Sequence, residues 1–235
     1  MSSKAAIIIS LVIFLFAVEC TKVDSKQKTQ HQMTNWDSLF TSQGLVKVSG
    51  IDSTILIDLR YSTTNNFTGK DIYGTLEEAY LQPEAMEKLE KASSLLKEGN
   101  PHLRLMIYDA ARPRSVQQIL WDVVDLPENE KSTYVANPKT GSIHNYGCAI
   151  DLTISDLDGN ELDMGTDYDD FSEIAHINQE EQLIKKGELN ETQVKNRRLL
   201  RQVMTDAGFQ TIRSEWWHFD AFPREKVEED FVIVE

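Results

Sequence analysis

Hydrophobic and polar positions change rhythm several times along the chain, and each change marks an element. Ser53 to Tyr61 (STILIDLRY) alternates with the two-residue period of a half-buried strand. Leu81 to Glu98 switches to helical spacing, with Met86, Leu89, Ala92, Leu95 and Leu96 on one stripe. Pro83 suits the first turn of that helix, and Gly99-Asn100-Pro101 ends it. Leu103 to Tyr108 (LRLMIY) reads as a second strand, and Asp109-Ala110-Ala111-Arg112-Pro113 leads out of it. Pro113 disfavours helical geometry at Arg112, so the next helix is expected over Ser115 to Val124. Cys148 to Ile154 reads as a third strand, followed by a turn at Asp156 to Asn160. Thr192 to Ala207 is a strong helical segment closed by Gly208, and Phe209 to Phe222 is extended and rich in aromatics. Helices and strands interleave without a regular strand–helix–strand series. This predicts a single α+β domain with a mostly antiparallel sheet and flanking helices.

The first residues follow another logic. Lys4 precedes an uncharged apolar run from Ala5 to Val18, and a polar exit follows at Glu19 and Cys20. This is the layout of a signal peptide, expected over residues 1–20. An uncleaved anchor is the alternative, although the run falls short of the roughly 20 apolar residues that span a bilayer. Cys20 resembles the lipid-attachment cysteine of bacterial lipoproteins, but Glu19 stands where that motif prefers a small residue. Export to the periplasm or beyond is expected, with membrane attachment through a lipidated Cys20 as one form of it. If Cys20 is removed or acylated, Cys148 is left alone and no intramolecular disulfide can form. A polar tether is expected over residues 21–44, most plainly from Thr21 to Asn35, with the folded domain over 45–235. Asn66-Phe67-Thr68 and Asn190-Glu191-Thr192 are glycosylation triplets of a kind that arises often by chance.

Charge narrows the partners. The 24 Lys and Arg against 38 Asp and Glu leave a formal charge of −14, which argues against nucleic acid. Of the five histidines, His31 lies in the tether and His102 follows Pro101 in a loop, leaving His144, His176 and His218 for chemistry.

His144 and Asp151 lie seven apart with Gly147 between them. On a straight strand that odd spacing puts them on opposite faces, but a bend at the glycine would bring them together. A neutral imidazole and a carboxylate suit zinc. Ser214-Glu215-Trp216-Trp217-His218 places a Glu three residues before a His in an apolar setting. Each segment alone also reads blandly, as a turn His with a strand-end Asp, or a surface Glu with a packed His. Together, His144, Asp151 and His218 make a three-ligand set that leaves a position open, and Glu215 supplies a separate base. Arg112, at the end of an apolar strand, could stabilise an oxyanion. A surface salt bridge is its plainer reading.

These segments resemble those of the zinc D-Ala-D-Ala dipeptidases. Ser142-x-His144-x-x-Gly147-x-Ala149-x-Asp151 resembles their zinc motif, Glu215-Trp216-Trp217-His218 their second motif, and Tyr108 to Pro113 their arginine loop. Asp58-Leu59-Arg60-Tyr61, Asn65 to Gly69, and Met164 to Asp169 resemble further signatures, so the likeness runs from about Ile51 to Phe222. It implies the fold of the zinc D,D-peptidases shared with the hedgehog signalling domain, one Zn2+ per chain, and cleavage of D-alanyl-D-alanine into two D-alanines. It implies His144, Asp151 and His218 as ligands, Glu215 as base, Arg112 as transition-state stabiliser, and Ser142 and Asp169 beside the bound dipeptide. Asp169 could pair with the substrate ammonium. Relatives tied to vancomycin resistance act in the cytoplasm, whereas the signal segment here favours cell-wall dipeptide turnover outside it. A D,D- or L,D-carboxypeptidase acting on peptidoglycan stems, or a non-catalytic binding module of the same fold, are the alternatives.

Overall fold

The computed structural model describes residues 35–235. The expected signal peptide, Cys20 and most of the expected tether lie outside the described residues. Described helices are α1 (Trp36–Ser42), α2 (Val48–Ile51), α3 (Pro83–Gly99), α4 (Arg114–Val123), α5 (Glu128–Lys131), α6 (Glu180–Lys186), α7 (Glu191–Ala207) and α8 (Arg224–Asp230). Strands are β1 (Val46–Lys47), β2 (Leu56–Ile57), β3 (Tyr80–Leu81), β4 (Leu103–Asp109), β5 (Ala149–Asp156), β6 (Gln210–Thr211) and β7 (His218–Asp220). No described helix is long and apolar enough to cross a membrane.

The main sheet has five strands in the order β2-β4-β5-β7-β6, and β1 pairs with β3 beside it. Only β2–β4 is parallel among the described pairs, so the sheet is mostly antiparallel, as the sequence predicts. The α3 helix begins at Pro83 and packs its buried Met86, Leu89, Ala92 and Leu96 against α7 and β4. From α7, Val194, Leu200, Val203 and Met204 are buried in turn, and Gly208 closes that helix in the left-handed conformation.

Two expectations are corrected. The strand expected over 53–61 is hydrogen-bonded as sheet only at Leu56–Ile57, and a 3-10 helix occupies Arg60–Ser62. The alternation persists because Leu59 and Tyr61 are still buried, but the chain has turned off the sheet to drive Tyr61 inward. The domain also begins before residue 45. In α1, Trp36 and Phe40 share a face at i, i+4. Phe40 is wholly buried and stacks on Tyr80 at 4.6 Å, while the Trp36 indole donates to the Tyr73 carbonyl at 2.8 Å. Burying a ring of this size stabilises by about 1.5–3 kcal/mol, enough to hold a two-turn helix that propensity alone would not.

The glycosylation triplets serve structure. The Asn66 amide donates to the carbonyls of Arg60, Thr63 and Lys70 at 3.0, 2.8 and 2.9 Å, and Asn190 caps α7.

A candidate metal centre and catalytic cleft

Sheet register builds the centre. Asp151 on β5 is paired with Asp109 on β4 and with His218 on β7, so three strands set these side chains in one row. The β4–β5 register shifts between Ile107 and Asp109, an irregularity that re-aims the strand end.

His144 reaches the row from outside the sheet. It sits in a 3-10 helix at Ile143–Tyr146, ended by Gly147 at φ 69°. A side chain at Gly147 would be strained by that φ, and its Cβ would meet Leu45 Cδ2 at 2.7 Å. The bend expected at this glycine is therefore present, and it turns the chain from the His144 helix into β5. Ser142 and Asn145 form a capping box around the same turn. The Asn145 amide also donates to the Arg112 carbonyl at 2.7 Å, and the Arg112 N–H donates to the His144 carbonyl at 3.0 Å. The arginine loop and the histidine turn are thereby one braced unit.

His144 Nε2, His218 Nδ1 and Asp151 Oδ1 converge. Nε2 lies 3.2 Å from Nδ1, and Oδ1 lies 3.3 Å from the first nitrogen and 2.9 Å from the second. The other ring nitrogens fix the tautomers. His144 Nδ1 donates to the Ala110 carbonyl at 2.7 Å, and His218 Nε2 donates to Asp220 Oδ1 at 2.9 Å. In the neutral rings, two lone pairs and a carboxylate oxygen then face one point with no donor among them. A cation satisfies that arrangement. A tetrahedral zinc ion with bonds of about 2.0–2.1 Å needs donors roughly 3.3 Å apart, close to the separations seen. Three protein donors leave a fourth position for water or substrate.

Electrostatics agree. Burial alone would raise the pKa of Asp151, but His144 and His218 hold it far below the usual carboxylate range, so it is ionised. Burial opposes a proton on His218, and Asp220 and Asp151 outweigh it, leaving the ring with a raised appetite for positive charge. A bound metal answers the same field. Tyr168 donates to Asp151 Oδ2 at 2.9 Å, and burial together with the Asp151 charge pushes its phenol pKa up, keeping it a donor.

Around the centre is a cleft of about 400 Å³. Glu215 enters it with Oε2 3.9 Å from His218 Nδ1, beside the donor set without belonging to the triangle. Burial raises its pKa, opposed by His218, which suits a group that must take a proton and give it up. Arg112 is buried, its Nε donating to Asp109 Oδ2 at 2.8 Å and its Nη1 to Gln117 Oε1 at 2.9 Å. Tyr73 donates to the other Asp109 oxygen at 2.8 Å. Burial opposes the Arg112 charge and Asp109 more than restores it.

Asp169 also lines the cleft, at φ 61°, a conformation a non-glycine residue rarely takes. Tyr61 donates to its two oxygens at 3.2 and 3.0 Å. Burial and the Asp151 charge raise its pKa well above the usual range. Ser142 faces the cleft too, and its oxygen accepts from the His144 N–H at 3.3 Å.

The seven residues given roles in the sequence thus line one cleft, whereas His176, the remaining candidate histidine, is not among its lining residues. Sequence reading missed Tyr61, Tyr168, Asp109, Gln117, Asn145 and Asp220, which hold the others in place. Asp220 carried a signal, since i+2 on a strand shares a face with His218. Asp109 also did, three residues before Arg112. Tyr61 and Tyr168 fall within stretches that resemble family signatures, but nothing in the sequence assigns them a role.

A buried His–Asp–His set with a free position, with a carboxylate and a fixed guanidinium lining the same cleft, defines a metal-dependent hydrolase. The chain belongs to the D-Ala-D-Ala dipeptidase family, whose profile matches residues 41–234. It is 37% identical to the D-alanyl-D-alanine dipeptidase of Escherichia coli over 75% of this chain and 83% of that one. It is 30% identical to the enzyme of the same name from Enterococcus faecalis, over 69% of this chain and 83% of that one. Among solved structures, the LdcB LD-carboxypeptidase aligns with 64% of this chain and 63% of its own, at 18% identity and a TM-score of 0.35. The protein is a metallo-dipeptidase.

Proposed function

We propose that this enzyme hydrolyses D-alanyl-D-alanine to two D-alanines outside the cytoplasm, recovering dipeptide released in cell-wall turnover. The activity rests on the family and on one observation above all. Three acceptors meet at a point, with the Glu215 carboxylate 3.9 Å from one of them. The location rests on the apolar run from Ala5 to Val18, read as a signal peptide that ends near Cys20.

His144, Asp151 and His218 would hold the zinc ion. When bound, it supplies Lewis acidity, making water more acidic and polarising the scissile carbonyl. Glu215 takes the proton of the attacking water and hands it to the departing amine, a transfer its raised pKa assists. Arg112 meets the charge that develops on the carbonyl oxygen. Its guanidinium is fixed beforehand by Asp109 and Gln117, so little reorganisation accompanies the reaction. Asp169 receives the substrate ammonium, because a carboxylate that burial makes hungry for a proton is also favourable to another cation. Ser142 accepts from His144 with its oxygen and keeps its hydroxyl hydrogen for the dipeptide.

Release of D-alanine from D-alanyl-D-alanine, measured with and without a chelator, tests the reading. Chelation should abolish release and added zinc restore it. Glu215→Ala should retain zinc, measured by elemental analysis, yet lose on the order of 10²- to 10⁴-fold in kcat. Near wild-type turnover by that variant would remove Glu215 from the chemistry.

A further inference from the structure

Taking the substrate as a free dipeptide, as in the reading above, leaves its terminal carboxylate without a cationic partner. Four carboxylates, Asp151, Asp169, Glu215 and Asp220, line the cleft and would repel an anion. Among the described lining residues, Arg112 and Arg224 are the two whose side chains carry a permanent positive charge. Arg112 is committed to Asp109 and Gln117 and lies 3.6 Å from Asp151.

Arg224 is placed differently. It opens α8, just after Pro223, and α8 packs on the 3-10 helix that carries His144. Its Nη2 donates to the carbonyl of Gly141 at 3.2 Å, immediately before Ser142 in the chain. Gly141 sits at φ 77°, a conformation that favours glycine, and a Cβ there would lie 2.9 Å from Ile233 Cδ1. The other contact of Arg224 is an ion pair with Glu228 at 2.9 Å, in which the two side chains are 43% and 48% exposed. A pair this open is held weakly and exchanges partners at little cost.

We infer that Arg224 binds the α-carboxylate of the dipeptide and sets the requirement for a free C-terminus. A planar guanidinium offers two parallel N–H groups to a carboxylate. Two residues span about 7 Å when extended. Asp169, Ser142, Arg224 and the donor triangle line the same cleft, so in this assignment the ammonium goes to Asp169, the carboxylate to Ser142 and Arg224, and the scissile bond to the donor triangle. The arrangement excludes substrates whose carboxyl end is amidated or continues as a longer chain.

Steady-state kinetics on the full, zinc-loaded enzyme tests this, with D-alanyl-D-alanine and its C-terminal amide as substrates. Wild type should favour the free acid. Arg224→Gln should raise KM for the acid on the order of 10- to 100-fold, leave kcat within a few-fold, and leave the amide unchanged. Arg224→Lys should keep part of the preference for the acid. Zinc content and melting temperature should match wild type in both variants. An acid-to-amide ratio in Arg224→Gln equal to that of wild type overturns the inference while leaving the dipeptidase reading intact. Failure of wild type to hydrolyse the free acid defeats both.

Discussion

The cleft has two walls built on different plans. On the Arg112 side every charged group is buried and spoken for: Tyr73 donates to Asp109, Asp109 holds Arg112, and Gln117 takes a further N–H. On the Arg224 side the guanidinium is half exposed and leans on a carbonyl and a solvated carboxylate. Chemistry explains the difference. A group that meets charge developing in a transition state gains from being immobile, since any movement then costs free energy. A group that admits substrate and releases product gains from contacts that are easily exchanged. The two walls should therefore answer substitution in different observables, the first in stability and kcat, the second in KM.

The sharpest break of the first wall is Asp109→Ala. It leaves the Arg112 charge buried beside an empty space, and removing one partner of a buried pair costs about 3–5 kcal/mol. Calorimetry should show a large drop in melting temperature, with activity falling even where the protein stays folded. A change in stability no greater than that of Arg224→Gln would mean the two walls do not differ as described.

An intermediate effect is expected at the junction of the walls. Asp220 accepts from His218 Nε2 and fixes which nitrogen of that ring faces the donor triangle. Asp220→Asn removes the charge and lets the amide present either face. Zinc affinity, read by competition with a chromophoric chelator, should weaken on the order of 10- to 100-fold. Fold stability without metal should be little altered. Unchanged affinity would show that β7 alone orients the imidazole.

The sequence makes the residue types of this centre legible far better than their supports. His144 and His218 are visible as chemistry because histidines are few, and Asp151 and Glu215 because they stand at short spacings from them. The bend that unites the first two is readable from Gly147, since an odd spacing along a strand needs one. The acceptor for His144 is a backbone carbonyl, Ala110, and a carbonyl has no sequence signature. Tyr61 and Tyr168 come from segments 108 and 17 residues distant from the carboxylates they serve, distances that only the folded sheet closes. Among the elements, α3 and α7 are plain because their stripes are long and capped. The alternation over 53–61 outruns β2 because burial of Leu59 and Tyr61 continues it after the hydrogen bonds stop. The α1 helix is not legible because its signal is two aromatic residues in a polar stretch, and its stability comes from Tyr73 and Tyr80, far along the chain.

The smallest effect tests the second wall most directly. Glu228 pairs with Arg224 one helical turn along α8, in the open and at i, i+4. Glu228→Gln removes that pair, and such pairs contribute only about 0.3–0.5 kcal/mol. Melting temperature should shift by no more than a degree or two. Binding should respond in the opposite sense. With its competing carboxylate gone, Arg224 has one less anion to leave when the dipeptide arrives, so KM for the free acid should stay level or fall slightly, and the amide should be indifferent. A rise in KM for the acid, with stability unchanged, would mean that Glu228 positions the guanidinium rather than competing for it. The second wall would then be as preorganised as the first.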